Sequence, residues 1–220
     1  MRIILVLSVV LLGARCGVTP PAFSTGGGNL PAEAGKTYHW RFDETPENNL
    51  PGDFISVLGN WVVEDEGSAP SGPRVLRQKG VFAAPDYPRV IVKDLTFKDL
   101  GVKVRCRPES GAVDQACGLM FRVRDSENYY ITRANALEGN VRLYRVVNGN
   151  REQLATADSP VTAGEWHALE ATADGEQLTV SWNGTPVITA SDTTFNEGKV
   201  GLWTKADSVT AFDDLEATAR

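Results

Sequence analysis

The sequence predicts an all-β fold, a two-sheet antiparallel sandwich. Three observations predict it. Apolar and polar residues alternate in short runs, turn-forming residues punctuate the runs at regular spacing, and no stretch sustains a helical period. Alternation sends one side-chain set into a core and the other outward. Leu100, Val102 and Val104 alternate with Gly101, Lys103 and Arg105, and Leu119, Phe121 and Val123 with Met120, Arg122 and Arg124. Val141 and Leu143 alternate with Arg142 and Tyr144. The same period recurs at Leu169–Ala173, Leu178–Trp182 and Val200–Leu202. Asp125–Asn128, Asn148–Gly149, Asp174–Gly175 and Asn183–Gly184 mark turns.

The chain has 220 residues, enough for one sandwich with a sizeable core. Its formal net charge is -6 and no basic block occurs, so nucleic acid is not an expected partner. Residues 1–16 read as an export signal. Arg2 is a positive n-region, Ile3 to Leu12 an apolar h-region broken only by Ser8, and Gly13 and Ala14 precede Cys16. This apolar run is too short to span a bilayer. A Cys in this place resembles a bacterial lipoprotein signal, in which it is acylated, although Arg15 departs from that pattern. The alternative is cleavage nearby with Cys16 discarded. A membrane is therefore expected only through a lipid anchor at Cys16. Residues 17–35, rich in Gly, Pro, Ser and Thr, read as a flexible tether, and residues 36–220 as the folded domain.

Cys106 and Cys117 end two successive strand-like runs with a turn-rich segment between them. In an exported protein they are expected to form a disulfide closing that hairpin; the alternative is two buried thiols.

Six motifs punctuate the chain: Gly118-Leu-Met-Phe-Arg122, Asp125 with Asn128-Tyr-Tyr130, Asn148-Gly149, Trp166-His167, Gly198-Lys-Val-Gly-Leu202 and Phe212-Asp-Asp214. Together they resemble the concanavalin A-like, laminin G-like jelly rolls of bacterial surface proteins, the family-16 glycoside hydrolase-like and keto-disaccharide hydrolase-like domains. The resemblance covers nearly all of residues 38–218 and implies a jelly-roll topology. It does not fix an activity, because this fold hosts many.

In the outward phase, Arg122, Tyr130, Arg142, Tyr144, Trp203 and Lys205 are expected on one sheet face, with Arg133, Asn135 and Asn140 at its rim. Aromatic faces and fixed hydrogen-bonding groups are what a sugar requires. The same residues on a solvated face can equally be cross-strand pairs that only stabilise the sheet. Asp213 falls in phase with Val209, Ala211 and Leu215 and is expected to point inward, which is costly unless it is paired or cation-bound. Related jelly rolls carry a structural calcium where first and last strands meet, and the resemblance makes Asp43 and Asp213 candidate ligands. The alternative is a salt bridge or a backbone hydrogen bond.

Catalysis has less support. Glucanases of this fold use an E-x-D-x-x-E or E-x-D-x-E strand motif, and neither occurs here. Glu64-Asp65-Glu66 reads as a solvated charge run, and His39 and His167 lack metal-spaced partners. No G-x-S-x-G elbow or phosphate-binding glycine loop is present. The expected function is non-catalytic binding of a carbohydrate or glycoconjugate. Its rivals are a glycoside-processing enzyme and a structural surface module that binds protein.

Overall fold

The computed structural model describes residues 29–220. The expected signal, Cys16 and most of the expected tether lie outside the described residues. Among those described there are seventeen strands and no helix. In chain order they are β1 (Leu30–Pro31), β2 (Thr37–Trp40), β3 (Phe54–Leu58), β4 (Trp61–Asp65), β5 (Arg74–Gln78) and β6 (Arg89–Val92). Next come β7 (Leu95–Thr96), β8 (Leu100–Ser110), β9 (Ala116–Val123), β10 (Tyr129–Asn135), β11 (Asn140–Val147) and β12 (Asn150–Asp158). The last are β13 (His167–Asp174), β14 (Gln177–Trp182), β15 (Thr185–Ser191), β16 (Lys199–Trp203) and β17 (Val209–Ala219).

Two antiparallel sheets face each other in a jelly-roll sandwich. The front sheet runs β12-β11-β10-β9-β16-β6-β3. The back sheet runs β15-β14-β13-β8-β17-β5-β4, and β2 adds to the second half of β17. β1 pairs in parallel with β7, and Gly35 N donates to Ala219 O. Residues 30–35, expected from the sequence to belong to the tether, bond to the domain.

The core lies between the sheets. Val102, Val104, Leu169, Ala171, Leu178 and Val180 from the back meet Leu119, Phe121, Val141, Leu143 and Leu202 from the front. Each large apolar side chain buried here contributes roughly 1.5–3 kcal/mol. The back strands keep the strict alternation that their sequences show: β13 alternates buried and half-buried positions from His167 to Ala173. The front sheet does not. Every residue of β9 and β10 is buried, because a second apolar cluster covers the sheet's outer face. Strands covered on both sides lose the period-two signal.

Cys106 of β8 and Cys117 of β9 are disulfide-bonded, with Cα atoms 6.2 Å apart. β8 and β9 belong to different sheets, so the bond crosses the core rather than closing a hairpin within one sheet. The two cysteines are 11 positions apart in the chain.

The back sheet's outer face carries a closed ion network. Arg77 contacts Glu64, Glu66 and Glu109; Arg107 contacts Glu66 and Glu109; Lys79 contacts Glu64. Three cations thus meet three carboxylates. The Arg107 hydrogen bond holds the Glu66 carboxyl down to about 2, against the opposing effect of burial.

Two predictions follow from this architecture. Replacing both Cys106 and Cys117 by Ala should lower stability by about 2–3 kcal/mol, read from urea unfolding under oxidising conditions, and reductant should leave that variant unaffected. Glu66 is depressed in the folded state relative to an unfolded value of about 4.3. Its contribution is therefore fully present above that pH and is lost as pH falls through about 2. Glu66→Gln should flatten the acid limb of stability against pH over roughly pH 4.5 to 2.

Candidate functional site

The outer face of the front sheet is organised by register. One cross-strand row contains Arg142, Arg133, Gly118, Trp203 and Arg89. The next contains Tyr144, Ile131, Met120, Gly201 and Ile91. Asn140 and Asn135 pair at the end of their strands. Gly118 is needed as glycine: a Cβ there would lie 2.8 Å from Trp203 Cε3 and 2.9 Å from Ile131 Cδ1. Its absence lets the indole lie down over the sheet.

One end of this face is a polar cluster around Arg133. That side chain is only 2% exposed, so its charge must be neutralised nearby. Arg133 Nη2 donates to Glu138 Oε2 at 2.8 Å, and Nη1 donates to both oxygens of Asn140. Arg142 Nη1 lies 3.0 Å from the same Glu138 oxygen. Lys205 pairs with Asp114 and approaches Glu138 at 4.0 Å. Asn135 Oδ1 accepts the N–H groups of Leu137 and Glu138, which folds the 136–139 turn back over the sheet. Asp207 accepts the N–H groups of Ala112, Val113 and Asp114, which fixes Asp114 on the other side. Arg133, Asn135 and Asp114 form the floor, while Glu138, Arg142 and Lys205 remain partly open to solvent.

Two carboxylates share this cluster. Asn135 Nδ2 lies 2.5 Å from Asp114 Oδ1 and 3.4 Å from Glu138 Oε1, so the two oxygens are at most about 5.9 Å apart. Their environments differ. Burial pushes the Asp114 carboxyl up, and Lys205 only partly offsets this. Burial also opposes ionisation of Glu138, but Arg133 and Arg142 outweigh it and hold that carboxyl below its ordinary value.

The other end of the face is aromatic. Tyr87, in the segment between β5 and β6, stacks on Trp203 with centroids 5.2 Å apart and planes at 21°. The Arg151 guanidinium sits 4.5 Å from the Tyr144 ring, 4.8 Å from Tyr87 and 6.0 Å from Trp203. Trp203 lies on the expected face but is fully buried beneath this cover, so it is not an open platform.

Of the nine expected ligand residues, Arg133, Asn135, Asn140, Arg142, Tyr144, Trp203 and Lys205 share this face. Arg122 and Tyr130 do not. At Arg122, β9 takes φ +46° and the register with β16 shifts, so Phe121 and Arg122 together oppose Val200. This bulge turns Arg122 away from the face. The guanidinium is buried, donating to the carbonyls of Lys98, Gly175 and Phe195 and to Asp99. Gly198 permits the bulge, since a Cβ there would collide with the Arg122–Val123 peptide. Tyr130 is paired with Phe121 and points with it into the core, its ring 5.3 Å away. Its hydroxyl donates to Asp192 at 2.5 Å and accepts from Phe195 N. Burial, reinforced by Asp192, pushes it up to about 12. In β10 the odd-numbered residues face outward, and Tyr130 is out of phase with Arg133 and Asn135.

Asp213 is fully buried but does not point into the core: Phe212 beside it does, Asp213 pairs with Arg105 on the outer face of the back sheet, and the bulge at Asp214 breaks the expected phase with Leu215. Asp213 accepts Ser71 N at 3.0 Å, the Ser71 hydroxyl and Asp214 N at 2.7 Å. Asp43 accepts Arg74 N from the same segment and lies against Gly72. The groups aimed at Asp213 are hydrogen-bond donors, whereas a cation requires converging oxygens. The residues between Asp43 and Asp213 therefore do not fit calcium. No group of three His, Cys, Asp or Glu side chains suited to a metal occurs among the described residues.

Asp114, Glu138, Arg89, Tyr87 and Arg151 belong to the site and were not expected there. Four of them lie in turns or directly beside them, where period-two alternation gives no phase. Arg89 begins a four-residue strand too short to show one.

This fold recurs in proteins of known structure. Carbohydrate-binding module CBM66 from Bacillus subtilis superposes with TM-score 0.63 at 20% identity, over 74% of this chain and 94% of that one. The Bacillus licheniformis beta-glucanase superposes with TM-score 0.57 at 11% identity, over 86% of this chain and all of that one. At such identities the likeness is one of fold. In sequence, 88 residues are 30% identical to levanase of Bacillus subtilis, covering 40% of this chain and 13% of the levanase. The model of the 3-keto-alpha-glucoside-1,2-lyase-like domain matches residues 55–218, most of the sandwich, and the chain belongs to that family.

Proposed function

We propose that this domain binds a carbohydrate on the outer face of its front sheet, at the Arg133–Glu138–Arg142–Lys205 cluster. The observation that carries the reading is the burial of Arg133, Asn135 and Asp114 as a fixed polar floor beneath partly open charged side chains. A surface ion cluster that only solubilises a sheet does not require buried, mutually oriented donors and acceptors. A site that reads hydroxyl groups does, because orientation is fixed before the ligand arrives. Its kinship with a stretch of a levanase and its fold likeness to a carbohydrate-binding module support the same reading. We also place the protein outside the cytoplasm, tethered through Cys16 or released. The signal-like residues 1–16 and the disulfide between Cys106 and Cys117 support this.

A second reading, hydrolysis or cleavage of a glycosidic bond, is favoured by one observation. Asp114 and Glu138 lie within about 5.9 Å and are shifted in opposite directions, as an acid and its partner carboxylate must be. Against it, Asp114 is 1% exposed and already engaged by Lys205 and Asn135. Binding is the better-supported function.

Titration calorimetry against a panel of oligosaccharides tests both readings. Arg142→Ala should weaken binding by about 1–3 kcal/mol with an unchanged fold. Trp203→Ala should instead lower stability by about 3–5 kcal/mol, as a core residue does. Full retention of affinity in Arg142→Ala would remove the site from this cluster. Release of reducing ends or unsaturated sugar by the wild type, abolished in both Asp114→Asn and Glu138→Gln, would replace the binding reading with the catalytic one.

A further inference from the structure

The two outer faces of the sandwich balance charge differently. On the back face Arg77, Arg107 and Lys79 meet Glu64, Glu66 and Glu109, Arg74 pairs with Asp65 and Lys103 with Glu216, and Arg105 alone of these cations has no carboxylate partner among the described residues. On the front face Arg89, Arg133, Arg142, Arg151 and Lys205 meet two engaged carboxylates, Asp114 and Glu138. Glu138 alone serves Arg133, Arg142 and Lys205. Asp158 ends β12 at the rim of the same face and pairs with none of the five. Arg89 and Arg151 have no carboxylate partner among the described residues. This cationic excess stands on a chain whose formal net charge is -6.

The unmatched arginines are held rigidly. Arg151 lies over three aromatic rings, which fixes the guanidinium plane and strips part of its hydration. Arg89 donates to the Tyr87 carbonyl at 2.7 Å. Its buried Nε, like that of Arg142, has no acceptor in the protein. Arg142 and Arg89 end one cross-strand row that spans four strand spacings, about 19 Å, and Arg151 sits above its aromatic middle. Surplus planar donors with fixed orientation call for planar acceptors.

Resting on the carbohydrate reading above, we infer that the ligand is an acidic saccharide whose uronate-type carboxylate is read by the arginines of this face. Neutral sugars satisfy the polar cluster around Arg133 but leave the charge of Arg89 and Arg151 unanswered. A uronate supplies both hydroxyls for the cluster and a planar carboxylate for a guanidinium. Because steering by an exposed charge is screened by salt, the preference has an ionic-strength signature.

The test is calorimetry on the whole protein with matched pairs: oligogalacturonate and its fully methyl-esterified form, alginate oligomers and their carboxyl-reduced form, with a neutral fructan as reference. At least one acid should bind roughly tenfold more tightly than its neutral counterpart at low salt, with the ratio shrinking as salt rises. Arg151→Gln and Arg89→Gln should each bring the acid-to-neutral ratio toward one. Equal binding of acid and neutral forms, binding of neutral sugars alone, or an unchanged ratio in both variants overturns the inference and leaves the carbohydrate reading standing. Binding of no saccharide in the panel overturns both.

Discussion

A guanidinium placed on the outer face of a sheet and then covered must be neutralised where it lies. Arg133 imposes that constraint, and much of the site's geometry answers it. An isolated buried charge costs several kcal/mol, so Glu138 and Asn140 are drawn onto it. Holding Glu138 there requires the turn after β10 to fold over the sheet, which Asn135 does by accepting two backbone N–H groups. The folded turn then brings Glu138 within reach of Arg142 and Lys205, and Lys205 in turn requires Asp114. Removing any one group leaves a buried charge or an unsatisfied donor beside it. The cluster is therefore coupled, and single substitutions in it are not additive.

The aromatic half of the face is built differently. Its order comes from a glycine, from stacking and from one cation. Gly118 gives the indole of Trp203 room to lie flat, Tyr87 covers it, and Arg151 covers both. The segment carrying Tyr87 is anchored at its ends, through Lys79 N to Asn60 O and Thr204 N to Pro88 O. Of the covering groups Tyr87 comes from a connection and Arg151 from the start of β12, whereas the polar floor comes mainly from strands.

The back sheet was legible in the sequence because one of its faces is wet. Leu100–Arg105, Leu169–Ala173 and Leu178–Trp182 alternate as a half-buried strand must. The front sheet was legible as strands but not in phase. β9 and β10 are buried on both sides, so Tyr129 and Tyr130 look alike in the sequence although one faces out and the other in. The bulge at Arg122 depends on its pairing with β16, far along the chain, and no local motif announces it. Arg142 and Tyr144 came out in the correct phase because β11 still alternates. Asp114 and Glu138 reach the face from turns and Arg151 from the second residue of β12, and only the three-dimensional path of the chain puts them there. Asp213 was misread as core-facing, because the bulge at Asp214 separates its phase from that of Leu215 and its cover comes from Ser71, 142 residues away.

The bond between Cys106 and Cys117 has a mechanical consequence. It joins two central strands of opposite layers, β8 and β9, while the row from Arg142 to Arg89 runs across β9 and its neighbours. When opposite forces act on the two faces, the load tends to slide one layer over the other. Apolar side chains resist such sliding weakly, because van der Waals contacts are individually small and are replaced as surfaces slip. A covalent strut through the middle of the sandwich carries that shear directly. It transfers tension from the front layer to the back layer, which holds β2, without passing it through the core.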